Sequence, residues 1–356
     1  MRVVYYGTYE RRYPRNAQVI SALRGAGVDV IEHHEPVWEG RHGWSAGAGA
    51  AARIAVAQAR LLARGPGEQF DALLVGYPGH PDVPAARRAG RGRPVVFNPL
   101  VSLHDTLVED RGRFGRGSLA ARALRRLDRA ALRGVDLVVA DTEANAARFA
   151  ELADLPRERL AVCFVGAEEA VFRPGWSPPA EFRALFVGKL IPLHGLPTIR
   201  AAARLASEIP FRVVGSGQLG ALLRDRPANV EWVDWMDYER LPEEIHAAGC
   251  VLGIFGTTAK AARVIPNKAF QALACGAPLV TADTPATREL LVDGESALLV
   301  PPGDATALAA AVRRLRDDPG AAAHIAAGGL AAYRAQASEE VLGRRWRELL
   351  ERAVAG

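Results

Sequence analysis

RALFVGKLIPLHGLPTIRAAARLASEIPFRVVG, residues 183–215, lays out a strand, a turn, a helix and a second strand in one line. RALFVG (183–188) and FRVVG (211–215) are short apolar runs of the kind found in strands buried on both faces of a parallel sheet. Between them, residues 196–206 read as a helix, and His194-Gly195-Leu196-Pro197 joins a glycine turn to its start. The alternation continues downstream through NVEWV (229–233), CVLGIF (250–255), APLVT (277–281) and ALLVP (297–301). Helices are expected near 218–224, 239–247, 266–275, 285–292 and 304–316.

Upstream the same pattern reads RVVYY (2–6), VDVIE (28–32), ALLVG (72–76), PVVFN (94–98), DLVVA (136–140) and LAVCFV (160–165). Helices are expected there near 15–25, 50–64, 82–90, 118–133 and 143–153. FRPGWSPPAEF (172–182) interrupts the alternation with proline and glycine. The fold class expected is therefore α/β, two doubly wound Rossmann-like domains facing a cleft. Their bounds are 1–172 and 183–336 with a linker at 173–182, and a last helix within 337–356 is expected to pack back toward the N-terminal domain.

Composition agrees with two cores. A chain of 356 residues exceeds one comfortable hydrophobic core, and 49% apolar with 24% charged residues is ordinary globular usage. Cys163, Cys250 and Cys275 are far apart and form neither a disulfide framework nor a zinc knuckle. No signal-like segment precedes the first strand and no run of about 18 apolar residues exists. The expected location is cytoplasmic.

Charge is uneven. Eight arginines stand against Asp128 alone between Arg111 and Arg133, a local +7. Arg122, Arg125, Arg126, Arg129 and Arg133 alternate with Leu119, Leu124, Leu127 and Leu132 at helical spacing. Such a basic amphipathic helix suits an anionic membrane surface or a solvated face. No stacking-aromatic signature points to nucleic acid. Lysine, by contrast, is scarce: of 45 basic residues only Lys189, Lys260 and Lys268 are lysines.

Ligands of open parallel sheets bind beyond the carboxyl ends of the strands. In the second half those loops are GKLIPLHG (188–195), GSGQ (215–218), DWMDY (234–238), FGTTAK (255–260) and TADTPATREL (281–290). VIPNKAFQALACGAP (264–278) places Lys268 and Gln271 at i and i+3, on one face of a helix's first turn. A lysine there opposes the helix dipole unless an anion answers it. In the first half, Gly7-Thr8 follows the first strand, with Arg11, Arg12 and Arg15 beside it. FNPLVSLHDTLVED, after the fourth strand, offers Asn98, Ser102, His104 and Asp105 for acid–base work or sugar-hydroxyl recognition.

GKLIPLHGLPTI, the block FGTTAKAARVIPNKAFQALACGAPLVTADTPATRELLVDGESALLVPPGD and the two-half layout resemble retaining glycosyltransferases of the GT-B fold, closest to family 4. The resemblance is strong in the second half and looser in the first. It implies a C-terminal domain for a nucleoside-diphosphate sugar, UDP- or GDP-linked, and an N-terminal domain for the acceptor. It implies no metal and no other cofactor.

Lys189 matches the first member of the basic pair that holds the diphosphate in that family, and His194 stands at the second. Lys189, Lys268 and His104 become the catalytic candidates. Gly7, Gly188, Gly195, Gly215 and Gly217 would line the donor, with Trp235 and Met236 framing the base and Glu289 near the sugar end. The family's paired glutamates fall on Arg263 and Gln271, so both are absent. Gln271 can still bond a ribose, while Lys260 or Asn267 would replace the first glutamate. Thr8, Arg11, Arg15, Asn98 and Asp105 are expected to contact the acceptor, which is a saccharide, a lipid-linked sugar or a small molecule.

Two alternatives stay open: a GT-B nucleotide-sugar epimerase, and a degenerate relative that only binds nucleotide. A Rossmann dehydrogenase is disfavoured, since the first strand ends in GTYERR rather than G-x-G-x-x-G.

Overall fold

The computed structural model describes residues 1–38, 48–67 and 69–356. The chain forms two compact units. The first comprises 1–108, 112–165 and 339–356, and the second 109–111 and 166–338.

The first unit holds β1 (Arg2–Gly7), α1 (Pro14–Gly25), β2 (Asp29–His34), α2 (Ala48–Arg64), β3 (Ala72–Val75) and α3 (Val83–Gly90). It continues with β4 (Val95–Phe97), α4 (Leu119–Arg133), β5 (Leu137–Ala140), α5 (Glu143–Ala153) and β6 (Leu160–Val162). The six strands pair in parallel in the order β2-β1-β3-β4-β5-β6.

The second unit holds β7 (Ala184–Val187), α6 (Leu196–Leu205), β8 (Phe211–Val214), β9 (Val230–Val233), α7 (Leu241–His246) and β10 (Cys250–Leu252). α8 (Asn267–Cys275), β11 (Leu279–Ala282), β12 (Leu298–Val300), α9 (Ala305–Asp317) and α10 (Pro319–Gln336) complete it. Its sheet is also parallel, in the order β12-β11-β10-β7-β8-β9. Strand order reverses between β1 and β3 in the first sheet and between β7 and β10 in the second. Those are the points where an open α/β sheet leaves a crevice for a ligand.

The last helix, α11 (Glu339–Ala355), belongs to the first unit. Leu342, Trp346, Leu349 and Leu350 bury their side chains with Val19 and Leu23 of α1. The division between the units falls at Val165/Gly166, earlier than the Pro/Gly stretch suggests. The reason is local bonding: Glu168 accepts from Tyr238 at 3.2 Å and Glu169 from Tyr333 at 3.0 Å, both within the second unit.

Three elements differ from the sequence expectation. Residues 218–224 make only a short 3-10 turn at Gly220–Leu223. Residues 285–292 likewise tighten to Thr287–Glu289, because the hydroxyls of Thr284 and Thr287 cap each other's backbone N–H groups at 3.1 and 2.9 Å. Conversely, the Ala/Gly-rich stretch that forms α10 lacks the apolar stripe that marks a surface helix, yet small side chains let it pack against α8.

Candidate functional site

In the second unit the loops after β7 and β8 are clamped together. Gly188 N–H donates to Val214 O at 2.9 Å, Leu190 N–H to Ser216 O at 3.0 Å and Leu219 N–H to Leu190 O at 2.8 Å. The approach is so close that a Cβ on Gly215 would lie 2.0 Å from Gly188 O. Gly215 and Gly188 also have φ of +138° and +142°, a region that side chains rarely enter.

Lys268 comes up beneath this clamp from the first turn of α8. It is 5% exposed, its Nζ has no hydrogen-bond partner among the described residues, and the ammonium lies 3.9 Å from the centre of the Phe186 ring. A methyl on Gly188 would sit 2.9 Å from Lys268 Nζ and 3.3 Å from His194 Cε1, so both side chains converge on Gly188. The quadrupole of Phe186 offsets part of the cost of burying a cation. Burial nevertheless pushes the Lys268 pKa well below the usual lysine value. α8 starts at Asn267 after Pro266 with no side-chain cap, which leaves N–H groups of its first turn open to an anion.

His194 is a different group from the second cation expected at its position. Its Nδ1–H donates to Lys189 O, and burial together with the nearby Lys268 charge holds its pKa well below the ordinary value. A buried neutral imidazole therefore replaces the second positive charge. Lys189 itself is exposed. Lys260 is buried and faces Asp110, whose carboxyl is raised by burial and lowered by the Lys260 and Arg111 charges.

Gln271, one turn along from Lys268, is also buried, and its Nε2 donates to Tyr238 Oη at 3.3 Å. Arg263, Asn267, Met236 and Glu289 are half-buried, whereas Trp235 is 65% exposed just past β9. Gly195 and Gly217 lie in the same loops: Gly195 precedes α6, and Gly217 abuts Leu190.

The first unit carries its own constellation at the β1/β3 switch. Thr8 N–H donates to Asp82 Oδ2 at 2.7 Å and the Thr8 hydroxyl to Asp82 at 3.1 Å, with Gln58 donating to the same carboxyl. Burial pushes the Asp82 pKa up to about 7 even though those hydrogen bonds favour the anion. Gly7 lies against this carboxyl. Asp82 belongs to no motif in the sequence; only its place in the turn after β3 marks it as a strand-end residue.

Arg15 is a correction. Expected to contact the acceptor, it is instead fully buried, and its guanidinium donates to Asn98 Oδ1 at 3.0 Å, Phe164 O at 2.7 Å and Cys163 O at 3.1 Å. It also lies over the Trp346 ring at 5.6 Å. Amphipathic spacing put it on α1's inner face, and three acceptors there satisfy the charge. Asn98 keeps an unpartnered Nδ2 among the described residues. Arg11 is on the surface and pairs with Glu32 at 2.9 Å.

Asp105 is likewise turned to internal use, taking Arg148 at 2.9 and 3.0 Å. His104 remains half-buried 3.5 Å from it. The lone acid of the basic helix, Asp128, is buried and accepts from Ser102 Oγ at 2.7 Å and from Leu103 and His104 N–H at 3.0 Å each. It ties down the turn that carries His104.

Comparison with known proteins follows the same division. Residues 1–166 match the glycosyl transferase 4-like domain and residues 181–318 the glycosyl transferases group 1 family. The chain is 32% identical over 224 residues to D-inositol 3-phosphate glycosyltransferase of Acidothermus cellulolyticus, an alignment covering 55% of this chain and 49% of the relative. It thus spans about half the length of that curated relative.

Among solved structures, sucrose-phosphate synthase from Thermosynechococcus elongatus superposes with a TM-score of 0.75 at 15% identity, over 99% of both chains. Anabaena HepE, solved in complex with UDP, superposes with a TM-score of 0.70 at 16% identity, over 99% of this chain and 100% of HepE. These likenesses identify the fold as GT-B.

Proposed function

The chain belongs to the family 4-like group 1 glycosyltransferases, and from that premise we propose that it moves a sugar from a nucleoside-diphosphate sugar to a hydroxyl acceptor, with retention and without a metal. One observation carries the reading: Lys268 buries an amine that has no hydrogen-bond partner among the described residues, at an uncapped helix start, beneath a loop clamp that only glycine permits. Its protonated form is stable only when an anion completes it. A diphosphate supplies that charge, and the glycine backbone lets it approach.

In this reading Lys268, Lys189 and the open N–H groups of α8 stabilise charge as it develops on the departing diphosphate, the role a metal plays elsewhere. Gln271 holds the ribose, and Trp235 and Met236 flank the base. Lys260, Arg263, Asn267 and Glu289 surround the donor sugar. In the first unit Thr8, Arg11, Asn98 and the tied-down His104 serve the acceptor. HepE's bound UDP favours uridine over guanosine.

A thermal-shift panel of UDP, GDP, ADP, TDP and CDP tests it. A hundredfold excess over the dissociation constant adds about 2.7 kcal/mol, a rise of about 5 °C or more for a unit of this size. One base is expected to shift the transition selectively; a flat response to all five would refute the donor site. Incubation with the cognate sugar donor alone then separates transfer from epimerisation, since an epimerase alters the sugar without an acceptor.

The acceptor is proposed to sit at an anionic membrane. On α4, Arg122, Arg125 and Arg126 are exposed, and among the described residues they pair with no carboxylate. Leu119 at the helix start is 77% exposed. No helix of the described residues is long and apolar enough to cross a bilayer. Each arginine near an anionic surface contributes about 1 kcal/mol. Changing these three to alanine should therefore weaken sedimentation with phosphatidylglycerol vesicles on the order of a hundredfold. Equal binding to pure phosphatidylcholine vesicles would count against the assignment.

A further inference from the structure

Two polar side chains of α8's first turns are each about 95% buried yet incompletely bonded. Among the described residues Lys268 Nζ has no hydrogen-bond partner, Gln271 uses only its amide nitrogen, on Tyr238, and none donates to Gln271 Oε1. The two residues stand at i and i+3, so a ligand that meets both carries an anion and, a few ångströms away, a hydrogen-bond donor. A nucleoside diphosphate does so through its phosphates and its ribose hydroxyls.

Which end of the Gln271 amide faces the ligand is decided further back. Tyr238 has one hydroxyl hydrogen, and it donates to Glu168 Oε1 at 3.2 Å. An ionised carboxylate only accepts, so that hydrogen is committed. The Tyr238 oxygen can therefore only accept from Gln271, which turns the NH2 end inward and leaves the carbonyl outward. Phe172, edge-on to the Tyr238 ring at 5.3 Å, fixes the ring in place.

We propose that Glu168 and Tyr238 are positioning residues that set Gln271 as a pure acceptor for a ribose hydroxyl. The proposal rests on the donor reading above and deepens it. A glutamate at 271 would confront the Tyr238 hydroxyl with a second carboxylate. One hydrogen cannot serve both, and the two negative charges would repel. Glutamate becomes acceptable again only when position 168 supplies a donor.

The relay makes a reciprocal prediction. Calorimetric titration of the full chain with UDP, GDP and their 2′,3′-dideoxy analogues reads the ribose contact as an affinity ratio. The wild type is expected to prefer the ribonucleotide on the order of tenfold. Tyr238→Phe removes the acceptor that turns the amide, so the ratio should fall toward one while dideoxy binding stays unchanged. Gln271→Glu should weaken ribonucleotide binding on the order of tenfold, and adding Glu168→Gln should restore most of it.

Melting temperatures confirm that each variant folds. Should Tyr238→Phe fail to fold, Glu168→Gln alone also releases the relay's polarity and should lower the ratio. An unchanged ratio in these variants, or a double variant no better than Gln271→Glu, overturns the relay alone. A wild type that binds none of the nucleotides overturns the donor reading and the relay together.

Discussion

Lys268→Met should make the ligand-free protein more stable while cutting turnover by at least about a hundredfold. Methionine keeps the apolar stem and the contact with Phe186 but removes a polar head that no described residue satisfies. Leaving such a group buried costs about 1–3 kcal/mol, so the melting temperature of the second unit should rise by a few degrees. If Lys268 holds the leaving diphosphate as proposed, catalysis loses a cation there, an effect of about 3–4 kcal/mol. A variant that melts lower and still turns over within a few-fold of wild type would sink the assignment.

The same lysine ties binding to pH. Burial lowers its pKa in the folded, unliganded chain. Between that depressed value and the ordinary lysine value near 10.4 the unfolded chain holds the extra proton, so stability rises with pH in this window. A bound diphosphate favours the ammonium and raises the pKa again. Binding should therefore take up a proton within the window and weaken as pH rises through it. Calorimetry in buffers of different ionisation enthalpy reads that proton directly, and Lys268→Met should abolish it.

Gly215→Ala is the second large effect, and its origin is steric. The added methyl would lie 2.0 Å from Gly188 O, a backbone atom that cannot rotate away, on a residue whose φ is +138°. The loops after β7 and β8 must separate to admit it, at a cost of about 3 kcal/mol or more. Separation moves Gly188 off Lys268, so the nucleotide-induced thermal shift should vanish even where the variant still folds. Gly220→Ala, where the new methyl meets nothing closer than 3.8 Å, is the control and should leave the shift intact.

The sheets were legible in the sequence because buried parallel strands are apolar on both faces, as in ALLV at 72–75 and LVTA at 279–282. Lys268 was legible for a related reason, since lysine is rare here and its position opposed the helix dipole. Partnerships across the fold were hidden. Arg15 reads as a basic loop residue until Phe164 and Cys163 present their carbonyls to it. His194 stands at the second position of a basic pair, but burial and the nearby Lys268 hold its pKa well below the ordinary histidine value. Asp128 looks like one acid lost among arginines, although it faces inward and fastens the turn before His104. Glu168 and Gln271 are separated by about a hundred residues, and only Tyr238 connects them.

The placement of α11 bears on how the protein is made. A ribosome finishes residues 1–165 early, but the tryptophan that covers Arg15 and fills the α1 face is at position 346. At roughly 5–20 residues per second, the intervening chain takes on the order of ten seconds or more to emerge. During that interval Val19 and Leu23 lack their cover, while the second unit, contiguous but for residues 109–111, can already close its core. The first unit is thus begun first and completed last, which makes it the half that most needs chaperoning.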